Sequence, residues 1–205
     1  MKKIGIMGGT FDPIHIAHLI LAEQGMEEFD LDEVLFIPTG QPPHKTEKKV
    51  TNAWQRYEMT KLAINDNPKF KCSDIEILRE GNSHTAKTLE ELHSQYPENE
   101  FYFILGADSL AYINEWQHPE IILNLATIIV ANRNQTEKKL LISQMQQLID
   151  IYGGKILLMT TPNLDISSNY LREQVAKGSS IRYYVTNEVN AYIKEHALYQ
   201  SREEV

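Results

Sequence analysis

Ile4-Gly5-Ile6-Met7-Gly8-Gly9-Thr10-Phe11-Asp12-Pro13-Ile14-His15-Ile16-Ala17-His18 is the run on which the reading of this chain turns. Ile4, Ile6 and Met7 have the character of a buried strand end. Gly8 and Gly9 follow, and residues without a Cβ accept positive φ at little steric cost, so a turn is expected there. Asp12 then has the character of a helix N-cap and Pro13 of the first helical residue, where a missing N–H does no harm. His15 and His18 are three apart and would share one face of that helix. A strand, a glycine turn, a helix N-terminus and two imidazoles describe a pocket for an anion, best matched by a phosphate chain. A tight turn carrying two ordinary surface histidines is the plain alternative. Zinc would need third and fourth ligands, and the single cysteine, Cys72, lies far off in sequence. No G-x-G-x-x-G, P-loop or H-E-x-x-H accompanies the run.

Outward from this run the pattern repeats. Strands are expected at 3–7, 33–37, 69–72, 101–105, 127–131 and 155–159, with helical patterns at 15–29, 54–65, 85–95 and 137–151. Such alternation predicts an α/β fold of Rossmann-like, doubly wound type, a mainly parallel sheet with helices on both faces. Ile128-Ile129-Val130 and Phe103-Ile104-Leu105 are continuous apolar runs, as strands covered on both sides require. Ligands of such sheets sit beyond the carboxyl ends of the strands. The polar stretches agree: Gly8 to Thr10, Pro38 to Lys45, Gly106 to Asp108 and Asn132-Arg133 each follow a strand.

At 205 residues the chain is expected to form one domain, 1–205, around one well-filled core. A net charge of −8 argues against a broad nucleic-acid surface, so an anionic ligand must be held by a few local cations and backbone amides. One cysteine permits no intrachain disulfide. With no apolar run near the length of a membrane span and no signal-like leader, a cytoplasmic location is expected.

Three further stretches carry polar chemistry. Pro38-Thr39-Gly40-Gln41-Pro42-Pro43-His44-Lys45 is too proline-rich for regular structure; taken alone it is a solvated connector. Ser83-His84-Thr85 opens a helix, with Ser83 or Thr85 as cap, and its free amides suit a carboxylate or a phosphate. In Asp165-Ile166-Ser167-Ser168-Asn169-Tyr170-Leu171-Arg172, a serine caps a helix and Arg172 returns to the same side one turn later. Between them, Asp108 reads as a cap aspartate and Trp116 as a core residue.

Taken together, G-G-T-F-D-P-I-H-x-x-H, the P-P-H-K segment and the I-S-S-N-x-L-R stretch resemble the H-x-G-H nucleotidyltransferase superfamily, and within it the bacterial nicotinate-nucleotide adenylyltransferases. The resemblance runs over nearly the whole chain. It departs at Ala17 (usually glycine), His84 (commonly tyrosine), Gln117 (often aromatic), Asn169 (usually threonine) and Thr186 (often proline).

The resemblance implies adenylyl transfer from ATP to nicotinic acid mononucleotide, giving deamido-NAD and pyrophosphate. It implies ATP contacts at Gly8, Gly9, Thr10, Phe11, His15, His18, Gly106, Asp108, Ile166, Ser167, Ser168 and Arg172, with His15, His18 and Arg172 catalytic. Lys45, His84, Thr85, Asp108, Trp116 and Arg133 are the implied contacts of the mononucleotide, with Trp116 as a wall for the pyridine ring. Mg2+ would bridge ATP phosphates and keep its waters, with no dedicated protein cage. Members of the family often self-associate, so a homo-oligomer is an implied assembly, although no feature of this sequence marks an interface. The alternatives are the same chemistry on nicotinamide mononucleotide or phosphopantetheine, or a sensor that binds nucleotide without turnover.

Overall fold

The computed structural model describes residues 1–42, 50–132 and 138–200. In chain order the elements are β1 Lys3–Gly9, α1 Ile16–Glu28, β2 Glu33–Pro38, α2 Ala53–Ala63, β3 Phe70–Cys72, α3 Ile75–Leu78, α4 Thr85–Gln95 and β4 Glu100–Gly106. They continue with α5 Ala107–Ala111, a 3-10 turn Ile113–Glu115, α6 Pro119–Leu125, β5 Thr127–Asn132, α7 Lys138–Tyr152, β6 Ile156–Thr160, α8 Ser168–Ala176 and α9 Asn187–Glu195. The six strands form one sheet in the order β3-β2-β1-β4-β5-β6, and every neighbouring pair is parallel. All carboxyl ends therefore lie along one edge. The order reverses between β1 and β4, so the loops after these two strands part at this point and leave a crevice.

The pleat sends alternate residues to opposite faces. Ile128 and Val130 of β5 and Phe101, Phe103 and Leu105 of β4 join one core, with Leu89 and Leu92 of α4, Ile122 of α6 and Leu141, Met145 and Leu148 of α7. Ile129, Ala131 and Ile104 join the other, with Leu21 and Met26 of α1, Met59 of α2, Leu171 of α8 and Val189 of α9. The apolar runs in β4 and β5 are thus explained by two covered faces. Gly25 lets α1 lie close on the sheet, because a Cβ there would stand 3.0 Å from Ile104 Cδ1.

The amino-terminal run differs in detail from its sequence reading. β1 extends through Gly9, which pairs with Pro38, so Gly8 and Gly9 belong to the strand and neither has positive φ. The left-handed residue is Phe11, at φ 49°. Helix α1 begins at Ile16 with His15 as its cap residue, so Asp12 is not an N-cap and Pro13 is not helical. The reason is tertiary: Asp12 is 3% exposed and its oxygens are taken by groups from distant parts of the chain. Likewise Gly106, not Asp108, caps α5, and His84 stands at the cap position of α4. No helix among the described residues is long and apolar enough to cross a membrane.

Candidate active site

At the carboxyl edge, β1 delivers Gly8 to Thr10, and the chain then passes Phe11 and Asp12 to the two histidines. The His15 and His18 rings stack with centroids 3.7 Å apart, and Phe11 meets the His18 ring edge-on at 5.1 Å. The His15 backbone N–H donates to His18 Nδ1 at 3.2 Å. A nitrogen that accepts an N–H carries no proton, so the neutral His18 ring holds its proton on Nε2, a donor suited to a phosphate oxygen. Ala17 is helical and buried, so the methyl that replaces the usual hydrogen points into the core.

Helix α8 comes from far along the chain to meet this loop. Ser167 caps it by accepting from the Tyr170 N–H at 3.2 Å. The Ser168 hydroxyl donates to the Pro13 carbonyl at 2.9 Å. Arg172 donates from Nη1 to the Asp12 carbonyl at 2.6 Å and from Nη2 to Asn169 Oδ1 at 3.1 Å. Asn169, standing where threonine is usual, therefore orients the guanidinium. The Arg172 side chain keeps a quarter of its surface exposed. The two stretches that the sequence reading placed on one phosphate chain are bonded to each other.

Beside them lies a cleft of about 550 Å³ lined by Gly8, Gly9, Thr10, Thr39, His84, Thr85 and Trp116, among others. Trp116 packs edge-on against Phe103 at 6.2 Å and leaves part of its surface to the cleft, where it serves as a wall. Ser83 does not cap α4 with its side chain. Its hydroxyl accepts from the Gly40 N–H at 3.0 Å and so ties the loop after β2 to the start of α4. Gly40 must be glycine here, since a Cβ would overlap the Glu76 carbonyl. Gly106 and Asp108 stand at the end of β4 and the start of α5, with Asp108 exposed; Ile166 packs on the core beside α8. Lys45 and Arg133 lie outside the described residues.

Three residues were missed. Arg56 of α2 is 1% exposed and gives its N–H groups to four backbone carbonyls: Thr51 at 2.9 Å, Thr10 at 2.6 Å, Thr39 at 2.6 Å and Gly40 at 3.1 Å. Burial lowers its pKa from the ordinary value, while the nearby Asp12 charge opposes that shift. It clasps the β1 loop to the β2 loop, the two sides of the cleft. The signal was in the sequence, because Arg56 lies on the same helical stripe as Met59, Thr60 and Ala63. Glu76 lines the cleft, buried, with its carboxyl raised above the ordinary range by desolvation and held in part by Thr88, Ser83 and Arg79. Thr88 donates to it at 2.7 Å. The third is Tyr199, whose hydroxyl reaches Asp12 at 2.7 Å. Cys72 is no reactive nucleophile: burial pushes its thiol up to about 12.

Comparison with known proteins gives the chain a family. Residues 6–174 match the cytidylyltransferase-like family. The chain is 43% identical over 199 residues to a protein of Lachnoclostridium phytofermentans named probable nicotinate-nucleotide adenylyltransferase, covering 97% of this chain and 100% of that one. A Thermoanaerobacter protein of the same name is 42% identical, over 98% of this chain and 96% of the relative. Among solved structures, the Plasmodium falciparum nicotinic acid mononucleotide adenylyltransferase complexed with NaAD superposes with a TM-score of 0.80 at 24% identity, covering 97% and 98% of the two chains. That likeness is one of fold.

Proposed function

This chain belongs to the cytidylyltransferase-like family and, within it, to the nicotinate-nucleotide adenylyltransferases, and we infer that it transfers the adenylyl group of ATP to nicotinic acid mononucleotide. The observation that carries the reading is the bond from Arg172 to the Asp12 carbonyl, which docks a partly exposed arginine side chain on the loop of the two imidazoles. A phosphate oxygen of the mononucleotide attacks the α-phosphorus of ATP. The new P–O bond forms as the bond to the β-phosphate bridging oxygen breaks, and deamido-NAD and pyrophosphate leave. The attacking oxygen is already anionic near neutral pH, so the protein need supply no nucleophile or strong base.

The work of the side chains is positioning and charge stabilisation. His18 Nε2–H donates to a non-bridging oxygen of the α-phosphate, where negative charge grows, and His15 stacks behind it. Gly8, Gly9, Thr10 and Phe11 line the approach of ATP. Arg172, with Ser167, Ser168 and Ile166 beside it, holds the departing pyrophosphate, and Gly106 and Asp108 border the nucleoside. On the other side, Trp116 covers the pyridine ring, and the amides at His84 and Thr85 receive its carboxylate. Lys45 and Arg133 are assigned to substrate phosphates.

The Asp12 carboxylate, three residues before His15 in the same loop, is already engaged by Tyr199 and Thr51. The donor set therefore suits a divalent ion that arrives on the triphosphate, and we assign Mg2+, which supplies charge neutralisation at the phosphates when bound. The reading carries a cytoplasmic location with it.

Parallel pyrophosphate-release assays with the acid and amide mononucleotides test the reading. An amide turns a donor toward the donors that await a carboxylate, which costs about 1–3 kcal/mol, or roughly 5- to 150-fold in efficiency. We expect that margin in favour of the acid. Equal efficiency defeats the acid preference, and ATP binding with no pyrophosphate release defeats the enzyme.

A further inference from the structure

The carboxyl-terminal end of the described chain reaches back to the first motif. Helix α9 packs against α2, and Tyr199 beyond it is packed on the core at φ 64°, a left-handed conformation that a residue with a Cβ adopts only when its surroundings hold it there. Phe11, on the other side of the contact, is left-handed as well. Between them the Tyr199 hydroxyl donates to Asp12 Oδ1 at 2.7 Å. Asp12 Oδ2 faces the Thr51 N–H at 3.4 Å and Arg172 Nη1 at 4.0 Å. Burial and the Asp12 charge both raise the tyrosine pKa, so its hydroxyl stays a donor.

The distances set up a competition. At 4.0 Å the Arg172 guanidinium is near enough to Asp12 to be drawn onto its carboxylate, yet it bonds instead to the Asp12 carbonyl and to Asn169. The same carboxylate makes its short, charge-assisted bond to the tyrosine through its other oxygen. We propose that Tyr199 is a positioning residue for adenylyl transfer: it restrains Asp12 so that Arg172 remains available to the triphosphate. The proposal rests on the reaction inferred above. Tyr199 is not among the residues that line the cleft.

Tyr199→Phe tests it, because the ring and its packing stay and only the hydroxyl goes. Left without that partner, Asp12 turns to Arg172. A displacement of about 1 Å can cost 10²-fold, and for this partial withdrawal of one cation we expect kcat to fall about ten-fold. KM for ATP should rise, KM for the mononucleotide should not change, and affinity for a non-hydrolysable ATP analogue, read by calorimetry, should weaken. A variant that melts earlier but keeps wild-type kcat, ATP KM and analogue affinity would show a purely structural tyrosine and overturn the proposal. Equal damage to both substrates would overturn it too. A wild type that binds the analogue but releases no pyrophosphate defeats the reaction, and the analogue affinity of the variant still decides the role of Tyr199.

Discussion

His18→Ala is expected to lower kcat by about 10²–10³ while the protein folds and melts close to wild type, because the loss is that of one aligned donor to a charge-bearing oxygen. Stability should hold since the ring is partly exposed and its bond at Nδ1 is to a single N–H. The mononucleotide KM should stay within a few-fold, because His18 is not among the residues that line the cleft. Stopped-flow or coupled pyrophosphate assays, paired with a thermal melt, give both numbers. A folded variant with wild-type turnover refutes the role of His18.

Arg56→Leu has the largest expected effect on stability. The leucine fills part of the volume but leaves four loop carbonyls and the Asp12 charge without their cation. Removing one partner of a buried charged arrangement typically costs about 3–5 kcal/mol. For a chain of this size that corresponds to a fall in Tm of roughly 6–20 °C. Arg56→Lys should restore little, since one ammonium cannot span carbonyls on three segments as the planar fork does. Denaturant unfolding of both variants measures this. A loss under about 1 kcal/mol for the leucine variant would mean that the clasp is redundant.

The sheet was legible because period and composition act locally. All six strands fall within a residue or two of their expected positions, and the described parts of the polar motifs lie on the predicted edge. The rest was hidden for one physical reason. Asp12 has the local signature of a helix cap, and only partners some 160 and 187 positions away turn it into a buried hub. Ser83 fails as a side-chain cap in the same way, drawn off by Gly40. Arg56 left a trace in its helical stripe, whereas Tyr199 left none, since a tyrosine after an amphipathic helix is unremarkable. That Ser168 and Arg172 share one triphosphate with His15 and His18 was an implication of the family resemblance; the bonds from α8 to the backbone of residues 12–13 are geometry that spacing alone could not supply.

The central claim is that imidazoles from one end of the chain and a guanidinium from the other grip a single triphosphate. A crystal structure with a non-hydrolysable ATP analogue and the acid mononucleotide tests it most directly. The account predicts phosphate oxygens at about 3 Å from His18 Nε2 and from the Arg172 guanidinium. A triphosphate seated elsewhere along the strand ends, out of reach of both, would contradict it.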